Sequence, residues 1–128
     1  MLLWALTIMT SLVAKVGPIV PRESGERVLC AAYVSGKQST IGSAVVAVSD
    51  RHVFFAPRSA FLSRGAWQSR RLDDVRIESS TRRSLGFPVA HRFAIFDADG
   101  SPFAFEIETK KDAREFRKAL SRRLAPRR

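Results

Sequence analysis

The alternation of apolar and polar positions predicts a mostly β domain. Short apolar runs bounded by Gly, Pro, Asn, Asp or Ser are typical of strands. The pattern predicts seven of them: Arg27–Val34, Ser43–Ser49, His52–Ala56, Trp67–Arg71, Val75–Ser80, His91–Phe96 and Phe103–Glu108. In the last run the three apolar side chains share one face, and Ala104, Glu106 and Glu108 share the other. The tight turn at residues 49–51 favours an antiparallel meander for the first three runs.

The hydrophobic period changes near the carboxy terminus. Ala113, Phe116, Leu120 and Leu124 recur at helical spacing until Pro126, which predicts one amphipathic helix with an apolar inner face. Thr109, followed three residues later by Asp112, is typical of a capping box at the start of that helix. The expected domain is therefore a two-sheet β structure closed at one end by a carboxy-terminal helix.

The first 20 residues predict a second amphipathic helix. Its apolar side carries five residues, namely Leu2, Leu6, Met9, Val13 and Val16. As a helix, residues 1–14 would be about 21 Å long, which is shorter than the ~30 Å hydrocarbon core of a bilayer. No basic residue precedes the apolar stretch, as one would in a secretory signal. The apolar side either packs on the domain or on a second copy of the chain, or lies in a membrane interface.

The polar stretch 21–26 (PRESGE) predicts a linker. The expected organisation is therefore an amino-terminal amphipathic helix over residues 1–20, the linker, a β domain over 27–125 and a basic tail over 126–128.

Four stretches of the sequence resemble the bacterial pleckstrin-homology-like (PH-like) domains. They are GERVLCAAYVSG (25–36), AVVAVSDRHVFFAPR (44–58), LDDVRIE (72–78) and FAFEIETKKDAREFRKAL (103–120). The resemblance covers residues 26–125, and its motifs are packing and turn motifs. It implies a mainly β (α+β) fold: a partly open barrel of seven antiparallel strands in two sheets, capped by the carboxy-terminal α-helix.

Positive charge is concentrated at the end of the chain. The formal net charge is +10, from 22 Lys and Arg against 12 Asp and Glu. Residues 110–128 hold nine basic and two acidic residues, which gives a local charge of +7. Lys111, Arg114, Lys118 and Arg122 fall on the solvated side of the predicted helix. Such a surface fits an anionic lipid headgroup, an acidic protein or a nucleic-acid phosphate.

The resemblance also indicates where a headgroup could bind. Lipid-binding pleckstrin-homology domains hold inositol phosphates with basic residues in the loop between their first two strands. Here the loop 35–42 offers Lys37 with the hydroxyls of Ser39 and Thr40, and the loop 57–65 adds Arg58 and Arg64. If the fold brings both loops to one end, these five residues could hold one anionic headgroup.

The sequence offers little support for catalysis or metal binding. It contains no GxSxG, phosphate-loop or HExxH motif, and we predict no enzyme activity, no cofactor and no small-molecule substrate. Cys30 is the one cysteine, and His52 and His91 are far apart, so no metal site is inferred.

The function predicted from the sequence is a noncatalytic module in the cytoplasm, peripheral at the inner face of the membrane. It would bind an anionic lipid surface or a membrane-proximal partner. The alternative is a protein-interaction or self-association domain, a homo-oligomer through the first helix with no lipid role. Nonspecific nucleic-acid binding is a disfavoured third possibility, because most aromatic residues lie on inward strand faces and are not interleaved with basic ones.

Overall fold

The computed structural model describes residues 11–36, 39–97 and 102–124. The elements of this part are helices α1 (Leu12–Val16) and α2 (Lys110–Leu120), and strands β1 (Val28–Val34), β2 (Ala44–Ser49), β3 (His52–Pro57), β4 (Gln68–Arg71), β5 (Arg76–Ser84), β6 (Phe87–Phe96) and β7 (Pro102–Ile107). Two short 3-10 turns, Arg64–Ala66 and Leu72–Asp74, flank β4.

The strands form two antiparallel sheets, with strand order β1-β2-β3-β4 in the first and β5-β6-β7 in the second. The prediction of a mainly antiparallel β fold with seven strands and a carboxy-terminal helix is confirmed. Strands β1 to β4 and β7 begin and end within one residue of the predicted bounds. The apolar runs locate β1, β2, β3 and β7 well because these strands pack in the cores, whereas β4 is located by its position after the loop 57–65.

The β5–β6 hairpin is longer than the sequence pattern predicted. Strand β5 continues to Ser84 instead of ending at Ser80, and β6 begins at Phe87 instead of His91. The added arms pair with each other but are mostly exposed, so burial imposes no apolar alternation on them. They meet in a two-residue turn, Leu85-Gly86, with φ of 53° and 83°. Positive φ at both positions is the geometry of a type I′ hairpin turn.

The main core lies between the two sheets and beneath α2. The helix contacts β1, β2 and β7, and its inner face buries Ala113, Phe116 and Leu120 as predicted. The ring of Phe116 lies 6.1 Å from that of Phe93 and 6.2 Å from that of Phe105, centroid to centroid. The capping box is not formed: Thr109 is the N-cap residue, but its side chain makes no capping hydrogen bond. Packing of the aromatic face therefore positions α2.

A second core covers the outer face of the four-stranded sheet. Val16 and Val20 are buried against it, and Leu12, Val13 and Ile19 pack at its margin. All six residues of β2 are buried, because one face of the strand meets the main core and the other meets this second core. The described part of the predicted amino-terminal helix therefore packs on the domain.

The segment predicted as a linker is fastened to the sheet. Glu26 is buried, and its carboxylate accepts hydrogen bonds from the hydroxyl of Ser49 and from the backbone N–H of Glu23, the latter at 2.8 Å. The same carboxylate lies 2.8 Å from Nδ1 of His52. Arg71 and Arg51 hold the carboxylate of Glu23 at 2.9 and 3.2 Å. Residues 21–26 thus join the second core to the sheets as one packed unit.

Strand β7 is covered on the face that the alternation assigned to solvent. Ala104 and Glu106 are buried, contrary to the prediction, while Glu108 is exposed as expected. Nε of Arg82 lies 3.0 Å from both carboxylate oxygens of Glu106. The loop at Thr40 crosses to the free edge of β7, where its backbone N–H donates to the Ala104 carbonyl at 2.9 Å. Long-range partners of this kind leave no periodic signal in the sequence.

Candidate functional site

Ser39 and Thr40 of the β1–β2 loop, predicted to bind a headgroup, have hydrogen-bond partners within the chain. The hydroxyl of Thr40 accepts a hydrogen bond from the Ala104 backbone N–H at 2.9 Å and donates to the Ala104 carbonyl at 3.4 Å. The hydroxyl of Ser39 accepts from the Ile41 backbone N–H at 3.2 Å. Lys37 lies outside the described residues. The two hydroxyls therefore fasten the loop to β7 and to itself.

The two arginines of the loop 57–65 are held by separate groups. The guanidinium of Arg58 lies 4.6 Å above the ring of Tyr33 on β1. Arg64 donates from Nη2 to the carbonyl of Pro18, at 3.3 Å, in the segment that follows α1. No hydrogen bond or ion pair among the described residues joins these arginines to each other or to Ser39 and Thr40. The five-residue headgroup cluster therefore stays a prediction.

The basic surface of α2 is exposed as the sequence pattern predicted. Lys111, Arg114 and Lys118 point to solvent from the helix, and Arg122 does so from the turn that follows Leu120. Two more exposed cations, Lys110 and Arg117, flank them. Within the described part of the chain, none of these six side chains forms an ion pair. We call these six residues the basic face.

Two grooves divide the basic face. One groove has a volume of about 620 Å³ and places Lys118 and Arg122 beside two other arginines, Arg27 and Arg123. Its lining also contains acidic and apolar side chains: Asp50, Glu115, Leu29 and Leu72. Arg123 is paired with Asp73 at 3.1 Å. This groove is mixed in charge, so it is the less suited of the two to a polyanion.

The second groove, with a volume of about 230 Å³, runs between α2 and the amino-terminal half of β6. Lys110, Arg114 and Arg117 line one side, and the segment 88–91 lines the other, with Glu108 as its acidic member. On that segment, Nδ1 of His91 lies 3.2 Å from the hydroxyl of Thr81. The sequence pattern had grouped Arg114 with Lys118, but the fold pairs it with Lys110 and Arg117. We call this groove the helix–hairpin groove.

Acidic residues on α2 modify the field around the basic face. Burial and the neighbouring Glu115 raise the pKa of Asp112, and Lys111 only partly opposes them. A higher pKa lets Asp112 take up a proton at a less acidic pH than an ordinary aspartate does. Acidification therefore makes the helix surface more positive.

Cys30 lies in the main core, and its thiol is unreactive at neutral pH. Burial, with the charges of Glu115 and Asp112, raises the pKa of its thiol to about 12. Because the thiolate is the reactive species, the thiol is unreactive at neutral pH. Cys30 therefore behaves as a small apolar side chain, as the sequence pattern predicted.

Ser49, His52 and Glu26 form a buried cluster, but their connections differ from those of a nucleophilic triad. In a triad the serine hydroxyl bonds to the imidazole that will accept its proton. Here the hydroxyl of Ser49 bonds to the carboxylate of Glu26 and accepts hydrogen bonds from the backbone N–H groups of Arg51 and His52, at 3.0 and 2.9 Å. The cluster closes the β2–β3 turn and fastens Glu26.

One feature of the site was missed by the sequence analysis: the apolar tip of the β5–β6 hairpin. Leu85 is 95% exposed, Phe87 is 72% exposed and Val89 is 36% exposed. Gly86, in a Leu-Gly pair between Ser84 and Phe87, was the available signal, but Asn-Gly or Asp-Gly is the usual mark of such a turn. Val89 also lines the helix–hairpin groove, so the tip continues directly from the basic face.

No family model and no curated protein matches this chain. Within residues 11–36, 39–97 and 102–124, no helix is long and apolar enough to cross a bilayer. In the same ranges, no group of three or more His, Cys, Asp or Glu side chains is placed to hold a metal ion.

Proposed function

We propose that this chain is a noncatalytic binding module of PH-like fold that associates peripherally with an anionic membrane surface. The association uses the basic face, on the cytoplasmic side of the membrane. The observation that carries this proposal is the set of six exposed Lys and Arg side chains without an ion-pair partner among the described residues. The PH-like assignment is supported by the division into four and three antiparallel strands, followed by a helix that covers one end.

Contact with an anionic surface stabilises the basic face. Like charges three or four residues apart on a helix repel one another and weaken it. Lys111, Arg114 and Lys118 are spaced in this way on α2. An anionic leaflet neutralises them and attracts each basic residue near its surface by about 1 kcal/mol. The inner face of the helix is fixed by the Phe116 packing, so the backbone that carries the charges needs no further ordering on binding.

A lipid surface fits the surroundings of the basic face better than a nucleic acid does. Nucleic-acid surfaces that bind single strands combine cations with exposed aromatic rings on which bases stack. The rings next to α2, those of Phe93, Phe105 and Phe116, are buried beneath it. The exposed ring of Phe87 lies on the hairpin tip between Leu85 and Val89, which are apolar, and is not part of a row of stacking rings among cations. The exposed neighbours of the helix–hairpin groove include Pro88 and Val89, which are apolar and suit the boundary between headgroups and acyl chains.

Vesicle co-sedimentation of the full-length chain tests the proposal. The probe is phosphatidylcholine vesicles with and without phosphatidylserine. The test variant Lys111→Gln/Arg114→Gln removes two charges from the basic face and should bind the phosphatidylserine vesicles about 30-fold more weakly, at about 1 kcal/mol for each residue. Both side chains are exposed and unpaired, so the melting temperature should not change.

The matched control is Arg58→Gln/Arg64→Gln, which removes two exposed charges from the loop 57–65. Its affinity should stay within a few-fold of wild type, because these arginines lie away from the basic face. Equal losses in the two double variants would contradict a role for the helix and would indicate attraction by net charge alone. If the wild-type chain binds neither vesicle type, light scattering then tests the alternative of a self-associating module.

A further inference from the structure

The tip of the β5–β6 hairpin presents apolar side chains to water. Leu85 and Phe87 are 95% and 72% exposed, and Val89 continues the apolar surface toward the domain. Single exposed apolar residues are ordinary, but a contiguous group at the end of a protruding hairpin usually marks an interaction site. No strand or helix of the described chain covers it.

Leu85 also adopts a backbone conformation that leucine disfavours. Its φ is 53°, in the left-handed region, and Gly86 follows with a φ of 83°. Asparagine or glycine fits this position of the turn, whereas the side chain of leucine strains the backbone there. Leu85 is almost wholly exposed, so no core contact compensates for the strain. A strained residue that does not serve the core is a reason to look for a role at the surface.

Positive charge surrounds the base of the apolar tip. Arg83 is exposed and donates to the Gly86 carbonyl at 3.3 Å, so its guanidinium lies beside the turn. On the other side, the segment 88–91 faces Lys110, Arg114 and Arg117 across the helix–hairpin groove. An apolar tip with a cationic base complements the boundary of an anionic bilayer, where acyl chains lie below a layer of negative headgroups.

We propose that Leu85 and Phe87 insert into the interfacial region of an anionic bilayer, while the helix–hairpin groove engages the headgroups. This inference rests on the proposed function and adds an apolar anchor to its electrostatic attraction. Phe87 lies two residues nearer the turn than Val89, which lines the groove, so the tip is the part of the hairpin beyond the groove. Apolar groups of interfacial proteins reside about 5–10 Å into the boundary of the bilayer.

Substitution of Leu85 and Phe87 tests the apolar anchor while leaving the basic residues unchanged. In Leu85→Asn/Phe87→Thr, asparagine suits the left-handed turn position and threonine suits an exposed strand. The variant should therefore fold at least as stably as wild type. Its affinity for phosphatidylcholine–phosphatidylserine vesicles should fall by about tenfold or more, from the lost apolar transfer. The matched control is Leu62→Asn, at a leucine 64% exposed on the loop after β3, and it should bind as wild type does.

A fluorescent reporter locates the tip directly. Phe87→Cys and Leu62→Cys can each be labelled with an environment-sensitive thiol dye, because Cys30 is buried and its high pKa keeps it unreactive. On addition of phosphatidylserine vesicles, the dye at position 87 should shift its emission to the blue. The dye at position 62 should not.

The outcomes are distinct. If wild type binds the vesicles while the tip variant binds equally well and the dye at position 87 does not shift, the anchor is refuted and the electrostatic function stands. If the tip variant changes only the oligomeric state seen by light scattering, the occupant of the tip is a second copy of the chain, and the bilayer assignment is overturned. If wild type binds no anionic vesicle even at low salt, the proposed function fails and the anchor fails with it.

Discussion

Glu26 is a buried carboxylate that connects three parts of the chain. Burial raises the pKa of Glu26, but hydrogen bonds from Ser49, the Glu23 backbone and His52 outweigh it and leave the pKa below its ordinary value of 4.5. A folded-state pKa that is lower than the unfolded value means that ionised Glu26 stabilises the fold. This contribution is fully present above the unfolded pKa and is lost as the pH falls through the lower, folded-state pKa.

Glu26→Gln should therefore destabilise the chain in a pH-dependent manner. At neutral pH we expect a loss of about 1–3 kcal/mol in the free energy of unfolding, because charge-assisted hydrogen bonds at a buried site are weakened. Below pH 4.5 the difference from wild type should shrink as wild-type Glu26 becomes protonated. Urea denaturation of both proteins, from neutral pH to below pH 4.5, measures this difference in the free energy of unfolding. Glu23→Gln is the control, since its ion pairs are half-exposed and contribute little. A difference that does not vary with pH would contradict the assigned ionised state.

At the scale of single residues, sequence and structure agree where a side chain has a local reason for its position. Phe116 and Cys30 are buried as expected because each belongs to an apolar pattern of its own element. Glu106 was assigned to solvent by the same reasoning, yet it is buried under Arg82, which lies on a strand that is not its neighbour. Such pairings arise from the fold, and one sequence carries no periodic trace of them.

At the scale of elements, the segment around α1 is part of the protein core. Val16 is buried in the second core, and Val13 packs beside it. This burial accounts for the described end of the apolar stripe that had suggested a contact with a membrane or a second copy. The hypothesis stays a prediction for Leu2, Leu6 and Met9, which lie outside the described residues.

Val16→Asp distinguishes a packed segment from a free anchor. Because a carboxylate at that position is buried without a partner, the variant should lose about 3 kcal/mol or more of unfolding free energy. Thermal or urea unfolding of the full-length chain measures the loss. Ala14→Asp introduces the same group two residues away at an exposed position, and its stability should stay near that of wild type. If both variants were equally stable, the segment would not belong to the core.

The strands were predictable and the hairpin extension was not, for one physical reason. A strand that packs on a core must place apolar residues at every second position, and that constraint is visible in the sequence. The arms at residues 81–90 are supported by hydrogen bonds across the hairpin instead, since most of them are exposed. The apolar tip was missed for the same reason, because its leucine occupies a turn position usually filled by asparagine.

At the scale of the whole molecule, the fold turns a charge excess into a directional surface. Most of the formal charge of +10 lies in residues 110–128. Helix α2 and the turn after it bring six cations to one face, none of them ion-paired within the described residues, and set three of them beside the β5–β6 hairpin. The basic tail 126–128 lies outside the described residues. Of the residues predicted in the two loops, Ser39 and Thr40 form hydrogen bonds within the fold, and Lys37 lies outside the described residues. The helical half of the candidate site was thus visible in the sequence, and its assembly with the hairpin required the structure.

The salt dependence of vesicle binding shows whether the basic face attaches this chain to an anionic bilayer. The full-length chain is co-sedimented with phosphatidylcholine vesicles that contain or lack phosphatidylserine. The ionic strength is raised from about 0.01 M to about 0.15 M, which shortens the screening length from about 30 Å to about 8 Å. We expect binding only to the vesicles with phosphatidylserine. Binding should be strong at low salt and markedly weaker at high salt, and the binding that remains at high salt should depend on Leu85 and Phe87. Equal binding to both vesicle types, or no binding to either at low salt, would contradict it.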